Sequence, residues 1–546
     1  MIFTSNMLLA MNIHKIPYSE TGYFSKIICD YLEKKESITS FYHRSAEIES
    51  FKAQIKEKKS FTAENRQILV KTLQNQYKSI KISQKTAENI DLLEKDSTFT
   101  ITTGHQLNLF TGPLYFLYKI IHTITLSQKL KSHYPEQDFV PVYWMATEDH
   151  DFDEINYFNL NGKKFRWNRT DITDNNKGAV GELFTEGLDA VHEQFCAEIG
   201  STRIAKKLCN LFSESYLEHK NLTEATRYLA NELFAEYGLV IIDANAAALK
   251  RNFIPFMERE LKEQISFKTV EKTTEKLEKS GYSIQVSPRE INLFYLKDGL
   301  RERIIERDGA FFVHDTQMEF SQEEILKELQ NYPERFSPNV IMRPLYQEVI
   351  LPNLCYIGGG GELAYWLELK DYFEAVQVPF PILMLRNSAL IMTEKQFDKA
   401  KKMDLEIADL FQDNNDLVNR RIRKISNIDI DFSPQKEHLI NQFEEMYTIA
   451  EKTDVTFLGA VKAQEVKQLK GLDHLEKRLL KAQKRKLGDE VKRLTALQLE
   501  LFPRENLQER INNFSEFYIE YGEKLIPQLM ESLDPLNEDF SVIVFE

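Results

Sequence analysis

The sequence predicts an α/β fold: a doubly wound core of parallel strands that carries long helical insertions and a helical arm. Three observations predict it. First, a short β-prone run at 99–103 (FTITT) is followed by an apolar helix and then by residues 139–146 (FVPVYWMA), apolar on both faces as a buried parallel strand is. That strand–helix–strand order is a βαβ unit. Second, two more short apolar runs, 239–242 ending at Asp243 and 381–385 ending at Arg386, are separated by helical segments. Third, from about Thr393 glycine and proline become scarce and charge rises, as in a long-helix region.

The elements follow in chain order. Residues 40–95 read as helical: Ile68, Leu69, Thr72, Leu73 and Tyr77 recur at helical spacing, and Ser83 suits the N-cap of a further helix to about Leu93. Gly104 ends the first strand. Gly112-Pro113 opens the next helix, because proline suits a first helical turn, and Leu114, Leu117, Ile120, Ile121 and Ile124 mark its buried face. Insertions at about 155–235 and 250–335 complete a core spanning 1–392. An arm spans 393–505, where Leu480, Leu487, Leu494 and Leu501 fall every seven residues, with Val491 and Leu497 beside them. A helix through Leu439, Phe443, Met446 and Ala450 is its expected antiparallel partner, with the turn near Phe457-Leu458-Gly459. Gly488 inside the seam leaves ordinary helix packing as the alternative. Residues 506–546 supply an amphipathic helix, about 507–533, and a strand, 541–545, returning to the core.

Composition narrows the function classes. With 42% hydrophobic and 28% charged residues over 546 positions, the chain can bury a large core, which excludes disordered, collagen-like and disulfide-stapled classes. Seventy basic against 84 acidic residues give a net charge of −14, which argues against a nucleic-acid binder. Cys29, Cys196, Cys209 and Cys355 are scattered without a CxxC pair, which fits a reducing cytoplasm and predicts no thiolate metal cluster. No apolar run approaches the ~18 residues that span a bilayer. The opening MIFTSNMLLAMNIHKIPY lacks a basic leader and reads as a ragged start, with Met7 or Met11 as alternative initiators.

Two polar clusters follow the strands of the βαβ unit, TGHQLNLFTGP at 103–113 and TEDHDFDE at 147–154. Ligands in open α/β sheets sit outside the carboxyl ends of the strands, so both clusters are expected at one site. Gly104 lets backbone approach a ligand, His105 can donate to a developing phosphate charge, and the helix at Pro113 aims free N–H groups there. Glu148, Asp149, Asp151, Asp153 and Glu154 surround His150; they suit a substrate ammonium group or a divalent ion, and equally a solvated acidic loop. No closed zinc spacing is present. A third patch, YIGGGGELAYW at 356–366, offers bare backbone amides or a permissive turn, and matches neither the P-loop nor the dinucleotide fingerprint. Arg343 and Gln347 lie upstream of it. Arg343 suits bidentate binding of carboxylate or phosphate, or a structural ion pair; Arg386 and Asn387 end a putative core strand.

Four stretches, TTGHQLNLFTGPLYFLYKI, PVYWMATEDHDFDEI, SPNVIMRPLYQEVILPNLCYIGGGGELAYW and FPRENLQER, resemble the cysteine-adding enzymes of bacillithiol biosynthesis, the BshC family. The likeness runs from about Tyr23 onward. It implies a Rossmann-like core related to class I aminoacyl-tRNA synthetases and nucleotidylyltransferases, with connecting-peptide insertions and a coiled-coil arm that pairs protomers into a homodimer. It implies a cytoplasmic ligase that joins cysteine to the amine of glucosaminyl-malate, with ATP and Mg²⁺ as substrate, through a cysteinyl adenylate or phosphate. No structural metal, nucleic acid or membrane is expected. On this resemblance His105, Gln106, Asp149, His150 and Asp151 are the expected catalytic group, with Gly104-His105-Gln106 in the place of the synthetases' HIGH motif. Gly104, Thr111, Gly112, Gly358, Gly359, Gly360 and Gly361 would contact nucleotide phosphates. Glu148, Arg343, Tyr365, Arg386 and Asn387 would bind the other substrates. No KMSKS-like lysine loop and no cysteine-selecting zinc ligand set is visible. A nucleotidylyltransferase acting on another metabolite, and a non-catalytic coiled-coil assembly protein, are the alternative readings.

Overall fold

The structure, a computed structural model, describes residues 12–169 and 178–545; Met7 and Met11 lie outside them. In chain order the strands are β1 (Asn12–Pro17), β2 (Thr98–His105), β3 (Asp138–Met145), β4 (Tyr157–Leu160), β5 (Lys163–Arg166), β6 (Val240–Asp243), β7 (Leu293–Lys297) and β8 (Leu300–Arg307). There follow β9 (Ala310–Val313), β10 (Glu319–Ser321), β11 (Phe336–Pro338), β12 (Asn353–Gly358), β13 (Ile382–Leu385), β14 (Ala389–Thr393) and β15 (Asp539–Phe545). The core sheet is parallel, in the order β13-β12-β2-β3-β6. From β2 the chain winds outward through β3 to β6, then returns to lay β12 and β13 on the other side. The winding therefore reverses between β2 and β12, and that switch point is where such sheets open a ligand crevice.

All four expected core strands are present. β12, entirely buried between β2 and β13, is not foreshadowed by its sequence. It opens on the polar Asn353, and its glycine end reads as loop. Asn353 is there for a reason: its side-chain oxygen accepts from Thr100 and Thr102, and its amide donates to Glu348, which also pairs with Lys58. This buried polar net ties β2 to β12 with every member satisfied, the condition under which such a net is tolerated.

The helix expected from Pro113 is α1, Tyr115–His133, with thirteen buried positions. Ser83 caps its helix as expected, accepting from the Thr86 amide. The first insertion holds the β4–β5 hairpin and the paired helices α2 (Leu188–Ile199) and α3 (Arg203–Tyr216). Cys196 and Cys209, scattered in the sequence without a CxxC pair, are joined in a disulfide across this pair. The second insertion is not simply helical: it contains an antiparallel sheet in the order β10-β9-β8-β7-β11. The charged run LRERIIER at 300–307 hid it, because the residues that alternate with its apolar positions are long and charged.

The tail strand β15 pairs with β14 in parallel and with β1 antiparallel, forming a separate three-stranded sheet. The segment before it is broken into Gln508–Ile511, Phe514–Tyr521 and Leu525–Ser532, where one helix was expected, because Asn513 caps a new helix and Gly522 takes a positive φ.

In the arm, α4 (Ser433–Ala450) and α5 (Val455–Lys486) form an antiparallel hairpin around Phe443, Ala450 and Val461. The turn falls at 451–454, where Asp454 caps α5; Phe457 and Gly459 belong to the helix itself, and Met446 faces outward. The leucine seam breaks at Leu487, and α6 (Gly488–Leu501) begins there. Leu494 and Leu501 are buried in the main core cluster, with Leu480 and Leu487 packed against it. The seam therefore docks on its own chain, where Arg421 pairs with Glu490. Among the described residues no helix is long and apolar enough to cross a membrane.

Candidate active site

A cavity of about 280 Å³ opens at the carboxyl ends of β2, β3 and β12, at the switch point of the sheet. Gly104 and His105 line it from β2 and Gln106 from just beyond it, Trp144 from β3, Ala146 and Asp149 from the segment that follows β3, and Tyr356 from β12. Tyr115 and Lys119 of α1 enter it, as do Arg343 and Gln347 of the helix Met342–Ile350 and Glu362, Tyr365 and Trp366 of the helix Gly360–Trp366. Of the expected site residues, Gly104, His105, Gln106, Asp149, Arg343 and Tyr365 are brought together here.

His105 is buried, with its ring packed edge-on to Tyr115 and against Phe116. Burial pushes its pKa well below the ordinary histidine value, the Lys119 charge adds to this, and a hydrogen bond to the Thr111 carbonyl only partly opposes it. The ring is therefore neutral near pH 7. Its proton sits on the nitrogen facing the Thr111 carbonyl, which can only accept. Nε2, with no partner among the described residues, carries the lone pair. Nε2 of His105 is thus set to accept a hydrogen bond, where the sequence suggested a donor to phosphate.

Asp149 is the carboxylate of the cavity. Burial disfavours its charge, but His150, the Arg343 charge and Gln106 outweigh burial and hold it well below the usual carboxylate range. The Gln106 amide donates to Asp149 Oδ2 at 3.0 Å and to Glu154 at 2.8 Å, and the His150 backbone amide donates to Oδ1 at 2.8 Å. His150 itself turns to the second insertion: its Nδ1 lies 2.7 Å from Arg301 Nη1 and, because a guanidinium only donates, Nδ1 accepts. Arg301 is buried and stacked 3.9 Å from the Phe294 ring centroid, and burial together with nearby Arg343 lowers its pKa to about 10. Arg343 lines the cavity with no carboxylate within 4 Å among the described residues.

Lys119, Glu362 and Tyr356 form the opposite wall. Lys119 donates to the Gly104 carbonyl at 2.6 Å and pairs with Glu362, whose other oxygen accepts from Tyr356 at 2.6 Å. This fixes the strand end that carries His105. A side chain at Gly104 would crowd the Tyr356 hydroxyl at 3.3 Å.

The remaining expected site residues are committed elsewhere. Glu148 is buried, paired with Lys250 and accepting from Ser337. Arg386 is spent on Glu509 at 2.7 Å and on Asn387 and Ser388; Asn387 bonds His122 and the Asp534 carbonyl. Asp151 is exposed outside the lining, and Asp153 pairs with Arg166. Thr111 and Gly112 belong to a left-handed turn held by Asn513, whose amide donates to the carbonyls of Phe110 and Gly112. The Leu114 amide donates to the Asn512 carbonyl, and those of Phe116 and Leu117 to the Pro113 and Leu114 carbonyls, so these three amides at the start of α1 are not free for an anion. Gly358, Gly359, Gly360 and Gly361 do not line the cavity. Gly358 is small for packing: a Cβ there would meet Leu363 at 2.7 Å. Among the described residues, Glu302, His314 and Asp315 gather possible metal-ligand atoms within 4.8 Å of one another, partly exposed and outside the lining.

Sequence reasoning missed Lys119, Tyr115, Trp144, Glu362 and Arg301. Lys119 left one usable signal, a lone cation within the apolar stretch of α1. Arg301 left none, since it sits in a run of charges.

Comparison with known proteins agrees with this architecture. Residues 11–387 match the family model for the BshC N-terminal Rossmann-like domain of bacillithiol biosynthesis, and 389–545 match its C-terminal coiled-coil domain. Similar chains named "Putative cysteine ligase BshC" come from Christiangramia forsetii, 62% identical over 97% of this chain and 98% of the relative, and Flavobacterium johnsoniae, 58% identical over 97% and 99%. A third, from Cytophaga hutchinsonii, is 38% identical over 98% of this chain and 100% of the relative. With both family models together spanning nearly all of the described residues, the chain belongs to the BshC family of bacillithiol biosynthesis.

Proposed function

We propose that the cavity joins the carboxyl group of cysteine to the sugar amine of glucosaminyl-malate, with ATP and Mg²⁺ as substrate. One observation carries this reading: Asp149, held ionised, Arg343, with no carboxylate within 4 Å among the described residues, and the neutral His105 line a single cavity at the sheet's switch point. That set matches a substrate bearing both an amine and carboxylates. Condensation from a free carboxylate is uphill in water, so ATP first converts it to an acyl adenylate, releasing pyrophosphate, or to an acyl phosphate, releasing ADP. The amine then attacks the acyl carbon, the C–N bond forms, and AMP or phosphate leaves. Asp149 holds the ammonium form of the amine in place. His105 Nε2 accepts a hydrogen bond from the amine and takes its proton as the C–N bond forms, when the nitrogen has become strongly acidic. Arg343 binds a malate carboxylate or a phosphate, and Lys119, through Gly104, keeps the strand end in position. In this reading the enzyme is cytoplasmic, where ATP is available, and forms a homodimer through the arm, whose hairpin exposes Ile449, Val455 and Phe457.

The test is mass spectrometry of the purified protein with glucosaminyl-malate, cysteine and ATP–Mg²⁺, each omitted in turn. The amide should appear only with all three, and AMP or ADP will identify the route. No amide with all three present, or amide without ATP, overturns the reading. His105→Ala should fold normally and lose roughly 10²–10⁴ in rate, the usual worth of a positioned base.

A further inference from the structure

Away from the cavity, the disulfide Cys196–Cys209 clasps α2 to α3, with the two Cα atoms 5.6 Å apart. We propose that this pair is a reversible thiol–disulfide site for a low-molecular-weight thiol, and that its oxidation state sets how firmly the turn beside His105 is held. Both cysteines are only half-buried, as attack by a small thiol requires; of the two free cysteines, Cys355 is fully enclosed. In a reducing compartment an accessible pair of this kind is a transient or sensing bond rather than a permanent staple.

The link to the cavity is a continuous set of contacts. Phe195 immediately precedes Cys196, and Phe212 lies one helical turn beyond Cys209. Their rings stand 5.1 and 5.2 Å from that of Phe110. Tyr216, at the end of α3, accepts the Phe110 amide at 2.8 Å. Phe110 and Thr111 have φ values of 47° and 68°, a left-handed conformation that costs a non-glycine residue ~1–3 kcal/mol and persists only where surroundings impose it. The α2–α3 pair is part of that surrounding, and the Thr111 carbonyl fixes the proton of the His105 ring.

The exchange balances with the small thiol as the only co-reactant. Its thiolate attacks one sulfur of the pair, breaking the S–S bond, forming a mixed disulfide and releasing the other cysteine as a thiol. A second small thiol attacks the mixed disulfide and frees the remaining cysteine. Two small thiols are oxidised to one disulfide, and their two protons end on Cys196 and Cys209. The regulatory half of the proposal rests on the ligase reading of the cavity, in which the product is itself a thiol; the redox half does not.

Two measurements on the full chain test it, neither of which reads ligation. The protein is equilibrated with graded ratios of reduced to oxidised glutathione, trapped with N-ethylmaleimide under denaturing conditions, and mapped by mass. Peptides carrying Cys196 and Cys209 should gain label together as the ratio rises, while Cys29 and Cys355 are labelled throughout. Label that never changes, whether absent or complete, overturns the proposal. Hydrogen exchange is then compared in the oxidised and reduced states and in Cys209→Ser. Opening of the α2–α3 pair should become easier on the order of a hundredfold when the ring is cut. Exchange across residues 110–117 should accelerate with it, identically in the reduced wild type and in Cys209→Ser. Unchanged exchange at that turn overturns the coupling even if the pair proves reversible.

Discussion

Arg343 and Arg386 stand near the same sheet edge and have opposite settings. Arg386 is enclosed, 3% exposed, with its donors divided among Glu509, the Asn387 carbonyl and Ser388. Arg343 faces the cavity, and no carboxylate of the described residues comes within 4 Å of it. By position in the sequence Arg386 is the better ligand candidate, since it ends a core strand. The difference teaches that position at a strand end qualifies an arginine only if the chain does not already supply its anion. Glu509 arrives from far downstream, so no local pattern reveals the pairing.

The strongest challenge to this contrast is Arg386→Met. It strands the buried Glu509 carboxylate and should cost about 3–5 kcal/mol in urea unfolding; a near-neutral result would show that Arg386 is not an interior brace. A second enclosed group extends the contrast to pH. The Glu368 carboxyl is 1% exposed, and burial pushes its pKa up to about 7 from 4.5. Between those values the folded chain keeps a proton that the unfolded chain releases, so stability falls as pH rises from 4.5 to 7. Glu368→Gln, which can still accept from the Gln285 and Val286 amides, should gain up to about 3 kcal/mol above pH 7 and nothing below pH 4. Thermal melts across pH check it.

Smaller effects separate the glycines. Gly358→Ala forces Leu363 and Tyr356 to move and should cost roughly 1–3 kcal/mol. Gly361→Ala meets nothing within 4 Å and sits in a helix, so it should stabilise by roughly 0.5–1 kcal/mol. Equal effects at the two positions would restore the idea of one ligand-binding glycine loop. Smallest of all, Arg343→Met should change stability by less than about 0.5 kcal/mol, while calorimetry shows weakened binding of glucosaminyl-malate. A large loss of stability would make Arg343 a brace after all.

The parallel core was legible because buried strands such as 139–146 are apolar on both faces, and α1 because its apolar face is long. β12 was not, since Asn353 enters a strand for the sake of a polar net that only the folded sheet assembles. The β7–β11 sheet was not, because charged side chains alternate with its apolar ones. At the site, Gly104, His105, Gln106 and Asp149 were legible from their place after strands. Glu148 and Arg386 were misplaced and Arg301 missed for a single reason: each is decided by a partner, Lys250, Glu509 or His150, on a distant element. Residue type and spacing carry no record of such partners.

Asn513 has a consequence for the order in which the chain can mature. The turn at 109–112 leans on an amide roughly four hundred residues further along the chain. A ribosome that has released the whole parallel sheet has still not delivered that amide, so the nascent core must wait with the His105 corner unfinished. Ligand-competent protein should therefore appear as a late step after synthesis passes residue 513, well behind the strands that frame it. A chain stalled anywhere between β13 and that asparagine would have its sheet and lack its working corner.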